Sequence, residues 1–573
     1  MFRTFLRKIR QRLNLPQQVV KKYQDINPED IFIDSTNLPG FDEHRFRGRI
    51  EKPMGQKTFT VMKVIWALVI LTLVLKLWDL DIRNGSFYAR ISENNRLART
   101  LIFADRGLIY DRNMIELATN AVKDEKSAFA GRFYPAILGL SHVVGYLKYP
   151  LSDRSGIYYE ESYRGRDGVE RVYDDILQGK NGLKLKEIDV FGHVISESIL
   201  TKPTKGDSIT LSIDAYLTEA LYKAITALAG DKDFIGGTGV VINVRTGEIL
   251  ALTSFPEYDQ NMLTEGSNQT AINRLINGPS KPFLNRAISG LYAPGSILKP
   301  IIALAALNER IISPDKKILS TGAITVKNPY DPSRPSVFKD WKAHGWTDMR
   351  EAIAVSSDTY FYSIGGGYGD QEGLGITVLD NYFQLFGLTE KTGIELLGEV
   401  QGIIPTPEWK KEKFNGEIWR LGDTYITAIG QYGTQVTPLN AARFVSAIAN
   451  GGKILTPSIL LGGNPRPVER LVEFSDEDWK VAREGMRASV TYGTAVGLNV
   501  PYVKAAAKTG TAEVGSAKLL VNSWSVGFFP FENPKYAWAV VMERGPSSNT
   551  LGATSVMRQL FDWMAVNAPE YFQ

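Results

Sequence analysis

Ser296, Lys299, Ser356, Asp358 and Lys508 are the residues whose types and spacing could support covalent chemistry in this chain. A serine hydroxyl is a poor nucleophile until a neighbouring base takes its proton. A lysine serves as that base only when burial or a nearby cation disfavours its ammonium form. In "LYAPGSILKPII", Ser296 follows a Pro294-Gly295 turn and opens an apolar run of helical length. That pattern predicts a helix N-terminus, where unpaired backbone N–H groups and the helix dipole favour developing negative charge. Lys299 lies one turn on along the same face, and Pro300 is tolerated within a first turn. "AVSSDTYFY" adds Ser356 and Asp358 at a helix-to-loop transition, and "AAAKTGTAEV" places Lys508, Thr509, Gly510 and Thr511 in a strand-like run of small residues. Small side chains there leave a strand edge on which an extended substrate backbone can pair.

Each motif alone is weak. Ser-x-x-Lys recurs at Ser313 with Lys316 and at Ser336 with Lys339, both in Pro-containing, polar, turn-like surroundings that read as structural. Lys-Thr-Gly recurs at Lys391 to Gly393, in "FGLTEKTGIELLGE", and reads as a connecting loop. Order together with spacing and context distinguishes Ser296: its Ser-x-x-Lys opens an apolar run of helical length 60 residues before Ser356 and 212 before Lys508, in a strand-like run, whereas the other two copies lie in turn-like surroundings. The absence of cysteine excludes disulfides, thiolate metal sites and cysteine nucleophiles, and there are only four histidines, none in a Ser-His-Asp context. Asp340, His344 and Asp348 recur at four-residue intervals, but read as a solvated polar face; no metal or cofactor is expected. Asp358 presents a problem, since a carboxylate beside Lys299 favours its ammonium. The expectation is that Asp358 points away from Lys299.

Around these residues, the 573-residue chain has the composition of folded protein, 44% hydrophobic and 22% charged. The run Phe59 to Trp78 is about the twenty residues a transmembrane helix needs. Residues 1–63 hold thirteen Lys/Arg against seven Asp/Glu, so the positive-inside rule puts the N-terminus in the cytoplasm. A cleaved signal peptide fits poorly, because its n-region would be far too long and no Ala-x-Ala site follows. Phe2, Phe5, Leu6, Ile9 and Leu13 form an apolar stripe flanked by arginines, as in a helix lying on an anionic membrane face, though a short basic flank without defined structure fits equally. The basic balance belongs to this tail and gives no reason to expect nucleic acid. Short apolar runs punctuated by turns read as a β-rich segment up to about residue 230. Beyond it, a hairpin of Thr238–Val244 and Glu248–Ser254, a helical middle, and strands at 503–514, 522–529 and 536–543 predict one five-stranded sheet closed by both ends of the segment.

The ordered set of three motifs resembles that of penicillin-interacting serine enzymes. From about Asn95 onward the chain is similar to class B penicillin-binding proteins of the elongation-type penicillin-binding protein 2 group, on "RGLIYDRN", "GRDGVERVYDDILQGKNG", "NRAISGLYAPGSILKP", "SSDTYFY", "FGLTEKTGIELLGEVQGIIPTPEW" and "KTGTAE". The resemblance implies an α+β fold: a basic cytoplasmic tail (1–57), a single transmembrane helix (58–78), a β-rich pedestal of dimerisation type (79–232), and a transpeptidase domain (233–573) whose five-stranded antiparallel sheet is flanked by helices. It implies a peptidoglycan D,D-transpeptidase of cell-wall elongation in the bacterial plasma membrane, with its catalytic domain extracytoplasmic and a possible D,D-carboxypeptidase side reaction. Ser296 would be the nucleophile, Lys299 its base and Ser356 a proton relay. Lys508, Thr509 and Thr511 would hold the substrate carboxylate, and the N–H groups of Ser296 and Thr511 would form an oxyanion hole. Stem peptides, β-lactams, elongation-complex proteins and a SEDS-type, RodA-like polymerase would be partners. A β-lactam sensor or β-lactamase, and a catalytically silent scaffold, are the alternatives. Met114 stands where relatives usually have glycine, which puts that turn's geometry in question.

Overall fold

The computed structural model describes residues 55–89, 97–122, 127–154, 156–188, 193–328, 331, 333–462, 468–515 and 517–573. The basic tail and its apolar stripe lie outside these residues. Contacts divide the chain into two compact units at Leu97–Ala98. In the first, Gln56–Trp78 is an α-helix apolar on all sides, with its large side chains exposed. Together with the helical turn to Arg83 it is long and apolar enough to cross a membrane.

The second unit begins with short strands. Leu97–Ile102, Gly182–Ile188 and Val194–Thr201 form one sheet, while Ile109–Tyr110 lies between Ile209–Thr210 and Glu116–Ala121 in another. The turn of "RGLIYDRN" is tied by its own aspartate: Asp111 Oδ1 accepts from the N–H groups of Asn113 at 2.7 Å and Ile115 at 2.8 Å. Met114 adopts φ +64° to complete it, so the turn persists with a left-handed methionine in the glycine position. The other Asp111 oxygen accepts from Ala215 N at 3.1 Å, and Asn113 Nδ2 donates to Asp214 Oδ2 at 3.2 Å. The motif therefore caps helix α1 (Ala215–Lys232).

Next comes the predicted hairpin, β1 (Gly236–Asn243) and β2 (Ile249–Phe255). The final strands β3 (Ala506–Val514), β4 (Leu520–Phe529) and β5 (Tyr536–Pro546) complete one antiparallel sheet in the order β2-β1-β5-β4-β3. Both ends of the segment thus meet in one sheet, with β3 on its rim. β1 reads GGTGVVIN and is buried on both faces almost throughout, because α1 and α7 (Ala553–Asn567) cover one side and helical segments the other. Between the hairpin and β3 run α2 (Lys299–Asn308), α3 (Met349–Val355), α4 (Asp358–Gly366), α5 (Pro438–Asn450) and α6 (Asp476–Thr491). In α2, KPIIALAALN is apolar on every face and nearly all of it is buried, which marks the central helix of the domain.

Candidate active site

Ser296 occupies a single 3₁₀ turn, Gly295–Leu298, and the α-helix proper starts three residues beyond the serine, at Lys299. The tightening follows from Gly295, which takes φ +58°. Three close approaches clamp this turn. Gly295 N donates to Gly430 O at 2.9 Å, Trp524 Nε1 on β4 donates to Ala293 O at 2.9 Å, and the turn lies directly on β3. A Cβ added at Gly510 would sit 2.6 Å from Pro294 O and 2.9 Å from Ile297 Cγ2. The glycine of Lys-Thr-Gly is therefore where the serine turn rests on the sheet. Among the described residues, the Ser296 hydroxyl has no hydrogen-bond partner.

Helix α3 starts at a capping box: Asp348 accepts from Glu351 N at 2.9 Å, and the Glu351 carboxylate accepts from Asp348 N at 3.1 Å. The helix stops at Ser356, which takes the left-handed conformation, φ 59°, ψ 43°. Ser357 then caps α4, accepting from Tyr360 N at 3.3 Å. Ser356 is thus held in a sparsely populated backbone region between two helices, a form of strain that marks functional sites.

The lysines converge on it. Lys299 Nζ donates to Ser356 O at 2.8 Å and lies 3.3 Å from Ser356 Oγ, while Lys508 Nζ lies 2.8 Å from the same Oγ. Both lysines are fully buried. Burial pushes the Lys508 amine well below its usual range, the nearby Lys299 cation adds to this, and Asp358 opposes it. Thr509 Oγ1 donates to Thr494 Oγ1 at 2.6 Å, Gly510 meets the serine turn and Thr511 O faces Gly295. The structure therefore brings together Ser296, Lys299, Ser356, Asp358 and Lys508 to Thr511. Two expectations need correction. Asp358 does not point away: its Oδ1 lies 2.6 Å from Lys299 Nζ, because α4 begins at Asp358 and aims its first side chain at the first residue of α2. Nor are Asp340, His344 and Asp348 a solvated face. Asp340 and His344 are buried, and Asp348 is the α3 cap.

Asp340 is the residue that sequence reasoning undervalued. Its Oδ2 accepts from Ser357 Oγ at 2.9 Å, Thr359 N at 2.9 Å and Ser320 Oγ at 3.2 Å, while Oδ1 accepts from Trp341 N at 2.8 Å. These bonds hold its carboxyl below the usual range against the opposing pull of burial, and two of them fix Ser357 and Thr359, the residues on either side of Asp358. Its aspartate sits far from the serine motif in sequence, so only the folded chain reveals the link. Thr494 and Gly430 were missed for the same reason.

The other motif copies lie elsewhere. Ser313 and Ser336 are exposed, the latter on the strand Ser336–Lys339. The second Lys-Thr-Gly closes a loop on Glu399, whose carboxylate accepts from Thr392 N at 2.6 Å and Gly393 N at 3.2 Å.

Comparison with known proteins agrees with this geometry. The family model described as the penicillin binding protein transpeptidase domain matches residues 237–562, and that of the penicillin-binding protein dimerisation domain matches 126–211. The peptidoglycan D,D-transpeptidase MrdA of Acinetobacter baumannii is 32% identical over 461 residues, 75% of this chain and 66% of that protein, so the alignment spans about two thirds of its length. Among solved structures, the penicillin-binding protein PBP2 in complex with MreC from Helicobacter pylori is similar with TM-score 0.67 at 26% identity, covering 82% of this chain and 98% of that one. A chain from a peptidoglycan synthase complex that coordinates polymerization and crosslinking is similar with TM-score 0.68 at 26% identity, covering 88% and 98%. The fold, the ordered motifs and these matches place the chain within the penicillin-binding protein transpeptidases, in the PBP2 group of peptidoglycan D,D-transpeptidases.

Proposed function

We propose that this transpeptidase works through a serine acyl-enzyme on Ser296. The observation that supports it most is the convergence of Lys299 and Lys508 on Ser356 Oγ, one turn along from a serine whose hydroxyl has no hydrogen-bond partner among the described residues. Lys299 accepts the Ser296 proton as Oγ attacks the carbonyl carbon of the penultimate D-alanine. The carbonyl oxygen gains negative charge, met by the backbone N–H groups of Ser296 and Thr511. The bond to the terminal D-alanine nitrogen then breaks, with a proton delivered through Ser356, and D-alanine leaves. A stem-peptide amine attacks the resulting ester, forming the cross-link and restoring Ser296; water in its place gives carboxypeptidase activity. Lys508, Thr509 and Thr511 bind the terminal carboxylate, with Gly510 keeping the strand against the serine turn. A β-lactam acylates Ser296 and stays.

The apolar helix Gln56–Trp78 anchors the chain once in the bacterial plasma membrane, with the basic N-terminal segment cytoplasmic and the transpeptidase domain extracytoplasmic. The likeness to PBP2 bound to MreC and to a synthase complex supports elongation-complex partners, including a SEDS-type, RodA-like glycan polymerase. The test is to supply uncross-linked glycan with D-alanyl-D-alanine stem peptides to the detergent-solubilised chain. Penicillin-sensitive release of D-alanine with matching cross-linked dimer is expected. Release of D-alanine with no dimer would contradict the transpeptidase reading.

A further inference from the structure

Two buried amines share one hydroxyl and one carboxylate in this site. Lys299 Nζ faces three acceptors, Asp358 Oδ1 at 2.6 Å, Ser356 O at 2.8 Å and Ser356 Oγ at 3.3 Å, matching the three donors of an ammonium group. The Phe361 ring, 5.3 Å from Nζ, also favours a cation there. Lys508 Nζ faces only Ser356 Oγ at 2.8 Å and Thr509 O at 2.9 Å. Among the described residues no carboxylate lies within ion-pairing distance of Lys508. Two ammonium ions on one hydroxyl, both fully buried, repel with a single carboxylate to offset them.

We propose that Asp358 holds the resting proton on Lys299 and leaves Lys508 the neutral amine, and that a substrate carboxylate moves that proton to Lys508 through Ser356. Lys299 is then free to act as base only when a carboxylate-bearing substrate is bound. The step balances without any outside reagent: Lys299 gives one N–H proton to Ser356 Oγ as the Ser356 hydroxyl proton passes to the lone pair on Lys508 Nζ. One hydroxyl within hydrogen-bonding reach of both amines is the only bridge this needs. The depressed basicity of the buried Lys508 agrees with the resting arrangement.

The groups facing this trio leave Asp358 as the counter-ion. Asp340, on the segment before Gly345, also feels the Lys299 charge, but its oxygens are taken by hydroxyl and backbone donors. His344 is driven toward its neutral form, first by burial, with Lys299 adding to this against Asp340. Tyr362 on α4 feels both Asp358 and Asp340 and stays protonated, chiefly through burial. The Asp358 side chain is 18% exposed, whereas that of Lys299 is fully buried.

This inference rests on Ser296 as nucleophile, and its test separates the two. Acylation rate constants at saturation are measured on the detergent-solubilised full chain with benzylpenicillin and with its methyl ester, from pH 5.5 to 9, in wild type and Asp358→Asn. Wild type should acylate more slowly with the ester, and its rate should rise at higher pH than with the free acid. In Asp358→Asn the acid-to-ester ratio of rate constants should narrow by about tenfold or more, a fraction of a general base's usual contribution. An unchanged ratio in a folded Asp358→Asn, or the same pH midpoint for acid and ester in wild type, would overturn the proposal. If the variant does not fold, the wild-type pH midpoints alone decide. Failure of the free acid to acylate wild type would instead sink the Ser296 reading.

Discussion

Met114 and Asp340 show how much a single side chain carries here. Met114 holds φ +64° in an exposed turn whose hydrogen bonds come from Asp111. Replacing it with glycine removes left-handed strain, which outweighs the opposing gain in unfolded-chain entropy, so Met114→Gly should stabilise the protein by about 0.5–1 kcal/mol, read as a shift in denaturant midpoint at constant slope. A destabilised variant would mean the methionine side chain packs in the turn. Asp340→Ala leaves the Ser357 and Ser320 hydroxyls and two backbone N–H groups without their acceptor. A loss of about 2–4 kcal/mol is expected, together with a slower Ser296 acylation rate, because the residues on either side of Asp358, one of them next to Ser356, loosen. Unchanged acylation with lowered stability would confine Asp340 to a structural role.

At the level of elements, the decisive contact is the serine turn resting on β3. Gly510→Ala places a Cβ 2.6 Å from Pro294 O, and backbone must move to relieve it. A displacement of about 1 Å at a reacting group costs on the order of 10²-fold, so penicillin acylation should slow by roughly that factor in the folded variant, with stability lowered by about 1–3 kcal/mol by the overpacking. An acylation rate equal to wild type would show that the turn position is not critical. This contact also shows what the sequence could and could not tell. Apolar periodicity, the hairpin turn and terminal strand-like runs made the five-stranded sheet readable, since burial dictates those patterns locally. The ordered serine and lysine motifs were readable as chemistry. Asp358 was misjudged because spacing says nothing about where a helix's first side chain points, and Asp340 because its partners come from three separate segments. The closeness of Gly295 to Gly430 and of Gly510 to Pro294 is likewise a tertiary fact written in no local pattern.

Across the second unit, buried polar groups hold the pedestal-type segment together and tie it to the later residues. Glu170 accepts from Arg106 Nε at 2.6 Å and Arg132 Nε at 2.7 Å, all three side chains being fully buried. Removing the anion leaves Arg132 without its carboxylate and Arg106 with Asp174 alone, 2.7 Å away, so Glu170→Ala should cost about 3–5 kcal/mol, measured by denaturation of the full chain. His142 hydrogen-bonds Pro282 O at 2.8 Å beside the Tyr258 ring. Burial lowers its pKa from 6.5 to about 4, against Asp167, which raises it. The unfolded chain therefore takes up this proton first, and stability falls as pH drops from 6.5 toward 4. The loss approaches about 3 kcal/mol for this one site, and His142→Gln should flatten that part of the stability profile. An identical slope in the variant would assign acid sensitivity to other groups. Adduct mapping tests the central claim most directly: the full chain is labelled with fluorescent penicillin, alongside Ser296→Ala, Ser313→Ala and Ser336→Ala, and the modified peptide is sequenced. The account predicts one ester-linked adduct on Ser296, lost only in Ser296→Ala; label retained in that variant, or mapped to Ser313 or Ser336, would contradict it.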